Sequence, residues 1–269
     1  MNYKLEEINI YPVKSLAGIS VPSAEVTDRG LKHDRRWMVV DNQGKFLTQR
    51  THPQMALVKT SIDENTLTLS HRFDYLSPIT IPINPAKDEQ LSVIVWNDIL
   101  NAALVDSKAD EWLSNALNLD CRLVYMPDKT RRSVDKKYWD KTGIVSFADA
   151  YPFLIIGEQS LNDLNSRLTE KVPMNRFRPN FVFSGGEPYD EDRWKKFRIG
   201  DLIFNAVKPC SRCVVTTVNQ ETAEKKDEPL RTLATYRAVG NNVNFGQNLV
   251  HEKLGIVSLE DEFEILEWK

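Results

Sequence analysis

Three cysteines and four scattered histidines are the only thiol and imidazole ligands in this chain of 269 residues. A structural zinc or a thiolate-held iron–sulfur cluster needs four nitrogen or sulfur ligands in recognisable spacing. Cys210 and Cys213 have no second cysteine pair to complete one, so no iron–sulfur cluster is expected. His33, His52, His71 and His251 show no H-x-x-x-H spacing, which disfavours a zinc hydrolase. The phosphate-cradling G-x-x-x-x-G-K-[ST], the dinucleotide fingerprint G-x-G-x-x-G and the hydrolase elbow G-x-S-x-G are also missing. No stretch of about 18 apolar residues occurs, and Met1-Asn2-Tyr3-Lys4-Leu5-Glu6-Glu7 lacks the regions of a signal peptide. No membrane association and a cytoplasmic location are expected. Basic runs are no longer than Lys129-Thr130-Arg131-Arg132, and the net charge is -3. Nucleic acid is therefore not an expected partner.

What is present is enough apolar residue, 41% of the chain, for a proper core. The first hundred residues read as short strands with turn punctuation, including Trp37-Met38-Val39-Val40 and Phe46-Leu47-Thr48 across a Gly44-containing turn. From Ser107 the period becomes helical, with Ser107 as cap and Trp112, Leu113, Ala116 and Leu117 as the apolar stripe. Ser160 opens a second amphipathic helix, a third lies near 229–237, and 214–218 reads as a β-branched strand. The expected fold is α+β, strand-rich and barrel-like, with about three helices. The expected division is 1–106 and 107–269.

The chemistry concentrates in Lys208-Pro209-Cys210-Ser211-Arg212-Cys213. Cys213 follows Arg212 in a loop introduced by proline, where a neighbouring guanidinium and backbone N–H groups favour the thiolate. A buried small hydrophobe is the bland alternative, and a lone C-x-x-C is more often structural than catalytic. Lys14-Ser15 follows a proline-ended strand and offers an ammonium, a hydroxyl and backbone donors to a phosphate. Asp34-Arg35-Arg36 and Arg176-Phe177-Arg178-Pro179-Asn180 each place guanidiniums near a strand, with Asn180 free for a heterocycle. Salt bridging at a strand edge is the alternative for the first cluster. Together, three basic clusters and a thiol pair point to a bound organophosphate.

These clusters, in this order, resemble the MOSC family, the fold of the C-terminal part of molybdenum cofactor sulfurases and of the amidoxime-reducing molybdoenzymes. The resemblance rests on Ile10-Tyr11-Pro12-Val13-Lys14-Ser15 and Asp34-Arg35-Arg36-Trp37 for an N-terminal β-barrel module. For the MOSC domain it rests on Pro152-Phe153-Leu154-Ile155-Ile156, Arg176 to Asn180 and Pro209 to Cys213. It implies that Cys213 ligates the molybdenum of a molybdopterin cofactor. It further implies that Lys14 and Ser15 hold the cofactor phosphate, that Arg35 reaches the cofactor, and that Arg178 and Asn180 contact the pterin. Some relatives carry hydroxyl residues where this chain has Ala150 and Tyr151, so a backbone contact is expected there.

The implied activity is reduction of small N-hydroxylated compounds, hydroxylamines or amidoximes, by a molybdenum-dependent oxidoreductase. Electrons are expected from a separate ferredoxin-, flavin- or cytochrome-type reductase, and Arg212 beside the ligand is a candidate catalytic residue. A molybdenum cofactor or sulfur carrier with a cysteine persulfide on Cys210 or Cys213 is the alternative. No pyridoxal phosphate module of a complete sulfurase is recognised. A plain dithiol redox protein is the third reading, and it leaves Lys14, Arg35, Arg178 and Asn180 without a role.

Overall fold

In the computed structural model, which describes residues 2–84, 89–139 and 141–269, apolar residues at every second position of seven strands enclose one barrel. The strands are β1 (Tyr3–Ile10), β2 (Phe153–Gly157), β3 (Phe181–Ser184), β4 (Trp194–Ile199), β5 (Leu202–Ser211), β6 (Asn242–His251) and β7 (Glu262–Trp268). Around the ring they run β2, β3, β1, β7, β4, β5, β6, and β6 pairs back onto β2 through Phe153↔Leu249. The β2–β3 pair is parallel. Phe153, Ile155, Phe181, Phe183, Phe204 and Ala206 point into one core with Leu5, Ile8 and Trp194. Leu154, Ile156 and Val182, the intervening residues of β2 and β3, pack outward with Leu164 and Leu233. Those two strands are buried on both faces, which is why they read as continuous apolar runs. Inside, Phe153 stacks on Phe181 at 5.6 Å, with Phe204 edge-on to both. Each such burial contributes about 1.5–3 kcal/mol.

A second layer holds a four-stranded sheet of Trp37–Val40, Arg122–Tyr125, Asp98–Leu104 and Gln90–Val95, and a meander of Val58–Ile62, Thr66–His71 and Ile79–Pro82. Helix α1 (Ser107–Leu117) buries Trp112, Leu113 and Leu117 in the same core as Trp37, Leu67 and Leu69. Packing therefore cuts across the expected boundary at 106 and 107. The helix stays with the N-terminal sheets, because its apolar stripe faces them, while the N-terminal β1 is a stave of the C-terminal barrel. Helices α2 (Glu158–Ser166) and α3 (Leu230–Tyr236) cover the outside of the barrel. Among the described residues, no helix is long and apolar enough to cross a membrane.

Three local expectations are corrected. Asp106, not Ser107, caps α1, accepting from Lys108 N at 2.8 Å. Ser160 lies within α2, where its hydroxyl donates to Glu191 Oε2 at 2.9 Å and accepts from Tyr189 N at 2.8 Å. Residues 214–218 do not form a strand; Val214–Thr217 is a 3₁₀ turn. Threonine hydroxyls offer the backbone a local alternative to a ladder: Thr216 donates to Cys213 O and Thr217 to Val214 O. The buried Arg176 guanidinium then donates to Thr216 O at 2.9 Å and Thr217 O at 3.1 Å. That clamp outweighs the β propensity of Val-Val-Thr-Thr.

Candidate functional site

One cleft takes its walls from both layers, and it is lined by Lys14, Ser15, Arg35, Arg178, Asn180, Arg212 and Cys213, all of the residues singled out in the sequence. Tyr11 is the hub of its basic wall. The guanidiniums of Arg35 and Arg178 each lie 4.3 Å from the Tyr11 ring centroid, and the phenol donates to Pro179 O at 3.1 Å. Burial pushes the Tyr11 phenol up to about 12 and brings Arg178 down to about 10, so the ring stays neutral beneath two cations. Ser15, Arg35 and Arg178 all adopt positive φ, at 68°, 49° and 57°. Three non-glycine residues in the left-handed region at one cleft mark a backbone held by its surroundings. Those surroundings are the bonds from Arg35 N to Tyr11 O and from Arg178 Nη1 to Leu16 O.

Each arginine pair of the sequence divides its labour. Arg35 enters the cleft, held by Asp34 Oδ2 at 2.7 Å, Asn180 Oδ1 at 3.2 Å and Arg178 O at 3.3 Å, whereas Arg36 turns to Met126 O and Asp128. Arg178 enters the cleft, whereas Arg176 clamps the 3₁₀ turn. Asp34 lies under this wall, and burial raises its carboxyl against the pull of Arg35. Asn180 is 1% exposed and is spent within the protein, since its oxygen also accepts from Leu154 N and its nitrogen donates to Asn9 O. It orients Arg35; the expectation of an amide free for a heterocycle is not met.

Cys213 lies at the end of β5, where that strand's pairing with β6 is interrupted twice, between Ala206 and Lys208 and between Pro209 and Ser211. Bulges re-aim side chains at sheet ends, and here they turn the chain into the 3₁₀ turn, with Cys213 as its first flanking residue. Arg212 lines the cleft and is engaged within the protein: Nη1 donates to Cys210 Sγ at 2.9 Å and Nη2 to Phe177 O at 2.6 Å. Its Nε is buried without a hydrogen-bond partner. Arg212 is thus a brace of the cysteine loop, and Cys210 is the sulfur it holds.

The lining also includes residues outside the motifs, among them Thr48, Arg50 and Asp149. The Lys14 ammonium is nearly buried and donates to Phe147 O at 2.7 Å and to Asp149 Oδ1 at 2.5 Å. Burial lowers its pKa and Asp149 opposes the fall. Desolvation disfavours the charge on Asp149, but Lys14 and Arg50 override it and hold the carboxyl below the usual carboxylate range. Tyr151 also lines the cleft, and its hydroxyl donates to Asp135 O at 3.3 Å. A proline two residues after Ala150 was the only hint of a fixed loop.

Comparison with known proteins agrees with this geometry. The MOSC N-terminal beta barrel domain matches residues 2–120 and the MOSC domain matches residues 142–264. The chain is 36% identical to mouse (Mus musculus) mitochondrial amidoxime-reducing component 1, over 96% of this chain and 80% of that protein. It is 35% identical to the human (Homo sapiens) component 1, over 96% of this chain and 81% of that one. It is also 37% identical to the molybdenum cofactor sulfurase of Arabidopsis thaliana, over 93% of this chain but only 33% of the sulfurase, so it spans about a third of that protein. The chain belongs to the MOSC family and carries both of its modules, the N-terminal β-barrel and the MOSC domain.

Proposed function

We propose that the protein is a molybdenum-cofactor-dependent oxidoreductase that reduces N-hydroxylated compounds, hydroxylamines or amidoximes, with electrons from a separate donor protein. The observation that carries this reading is the convergence of two cysteine thiols, Cys210 and Cys213, and five cations, Lys14, Arg35, Arg50, Arg178 and Arg212, on a single cleft, with Cys210 engaged by Arg212 and Cys213 not. The donor set fits such a cofactor. Among the described residues no cluster of three or more His, Cys, Asp or Glu side chains is arranged to hold a metal, so a metal on Cys213 takes its other ligands from a bound organic group. A thiolate is the soft ligand that suits it, and a cationic wall suits a phosphate. The names of the amidoxime-reducing relatives support the substrate class.

In this reading Lys14 and Ser15 hold the cofactor phosphate, Arg35 and Arg178 face the pterin, and Cys213 ligates molybdenum. When bound, the cofactor supplies the two-electron oxygen-atom chemistry. The protein's own part is orientation and charge. Asn180 and Asp34 fix Arg35, Tyr11 fixes both guanidiniums, and Arg176 and Arg212 fix the loop that presents Cys213. Reduction of R–NH–OH takes two electrons and two protons and releases water, so a donor of the ferredoxin, flavin or cytochrome type must reach the cleft. The sulfurase likeness covers too little of that protein to carry its whole activity across.

The test is reduction of an amidoxime and an alkylhydroxylamine by cofactor-loaded protein with a reduced viologen dye as electron source. Amine or amidine formation by the wild type, lost in Cys213→Ser, is expected. A loaded wild type that reduces neither compound would sink the proposal.

A further inference from the structure

We infer that Arg50 completes an anion site with Lys14, built for a phosphate dianion, and that Asp149 is the resident occupant which an incoming phosphate displaces. The inference deepens the proposed cofactor reading and rests on it for the identity of the natural anion, though not for the existence of the site.

Of the five cleft cations, three are committed to protein oxygens or sulfur that do not leave. Arg35 is on Asp34, Arg178 is on Leu16 O, and Arg212 is on Phe177 O and Cys210 Sγ. Lys14 and Arg50 differ, although Lys14 also donates to Phe147 O and Arg50 to Thr48 Oγ1. They converge on one carboxylate, with Lys14 Nζ at 2.5 Å from Asp149 Oδ1 and Arg50 Nη2 at 3.4 Å from Asp149 Oδ2. Asp149 is the one acidic residue among the described residues lining the cleft. The exposure is lopsided: the Lys14 side chain is 6% exposed and that of Asp149 is 58% exposed. A buried cation without an anion is costly, whereas more than half of the Asp149 side chain already meets water, so the loss of its ion pairs is partly offset by hydration. The carboxylate is therefore the exchangeable partner.

The surrounding structure allows the side chain to leave without moving the loop. The buried Arg132 donates to Ser146 O, Ala148 O and Asp149 O, which pins the main chain of that segment. The carboxylate itself is held, besides the two cations, by the Trp96 indole N–H at 3.3 Å. Trp96 is 43% exposed and its ring lies 4.5 Å from the Arg50 guanidinium. Displacement of Asp149 thus removes a hydrogen bond from Trp96 and rearranges the cation against its ring. A phosphate dianion brings more charge and more acceptor oxygens to Lys14 and Arg50 than one carboxylate does, so the exchange is favourable but weaker than binding to an empty pair of cations.

The experiment is titration of cofactor-free full-length protein with inorganic phosphate, followed by calorimetry and by tryptophan fluorescence. Trp96→Phe identifies the Trp96 component of the fluorescence. The wild type is expected to bind phosphate with a change in Trp96 emission, Asp149→Asn to bind at least about tenfold more tightly because the competing charged hydrogen bonds are gone, and Arg50→Gln to bind more weakly. Equal affinity in wild type and Asp149→Asn would overturn the inference, as would phosphate binding that leaves Trp96 emission unchanged or no binding in either protein. Molybdenum retention on Cys213, measured separately on loaded protein, judges the cofactor reading whatever the phosphate result.

Discussion

At the scale of single residues, charge and burial decide which side chains act on a ligand and which act on the protein. Glu191 shows the cost of the second role. It is fully buried, and desolvation, with the Asp192 charge second, pushes its carboxyl from 4.5 to about 7 against the bonds from Ser160 and Gly157 N. An acid whose pKa rises on folding is held best when protonated, so its stability contribution is complete below about 4.5 and lost as pH climbs through about 7. Glu191→Gln should therefore gain on the wild type by about 3 kcal/mol at pH 8 and by almost nothing at pH 4.5. Unfolding midpoints against pH check this, and a difference independent of pH would refute it. The residues of the site with sequence neighbours of a chemical kind, Lys14-Ser15, Arg35, Arg178 and Cys213, were legible in the chain. Arg50 and Asp149 were not, because each is an isolated charge in its segment and gains meaning only from the other, 99 positions away.

At the scale of elements, the site depends on loops tied to one another across the two layers. Gln49 and Gln220 form a reciprocal buried amide pair, with nitrogen-to-oxygen distances of 3.1 and 2.9 Å. Gln49 also donates to Ser15 O at 2.7 Å, and Gln220 to Val218 O at 3.1 Å, just past the turn that follows Cys213. The pair joins the lysine loop to the cysteine turn. Gln49→Leu or Gln220→Leu alone should cost about 1–3 kcal/mol by stranding the other amide, and the double variant should cost clearly less than the sum. Chemical denaturation of the four proteins measures the coupling; additive losses would mean that the pair does not act as a unit. Arg176→Gln should free the carbonyls of Thr216 and Thr217 and speed alkylation of Cys213 by iodoacetamide, with an unchanged rate as the contrary result. Helices and strands with a clear period were read correctly from the sequence. The run 214–218 was not, because its β-branched residues favour a strand while a guanidinium 38 or more positions earlier sets the turn.

At the scale of the whole molecule, the chain's two layers are laced together by β1, which precedes the N-terminal sheets in sequence and closes the later barrel between β3 and β7. Leu5, Ile8 and Ile10 from this strand are buried in the barrel core, at about 1.5–3 kcal/mol each. Residues 142–269 produced alone, which keep β2 to β7 and lose β1, should therefore fail to fold, with the edges of β3 and β7 left unpaired; a dispersed, cooperative fold of that fragment would count against the barrel as described. The sequence pattern showed a strand-rich α+β protein with a barrel, but not this lacing, since pairing across more than 170 positions leaves no local trace.

The cleft that this lacing creates is the centre of the account, and the metal content of the protein addresses it most directly. Wild type and Cys213→Ser, purified side by side from cells supplied with molybdenum cofactor, should differ sharply: close to one molybdenum per chain in the first, and little or none in the second although phosphate still binds. A wild type free of molybdenum, or a Cys213→Ser protein that retains it in full, would contradict the central claim.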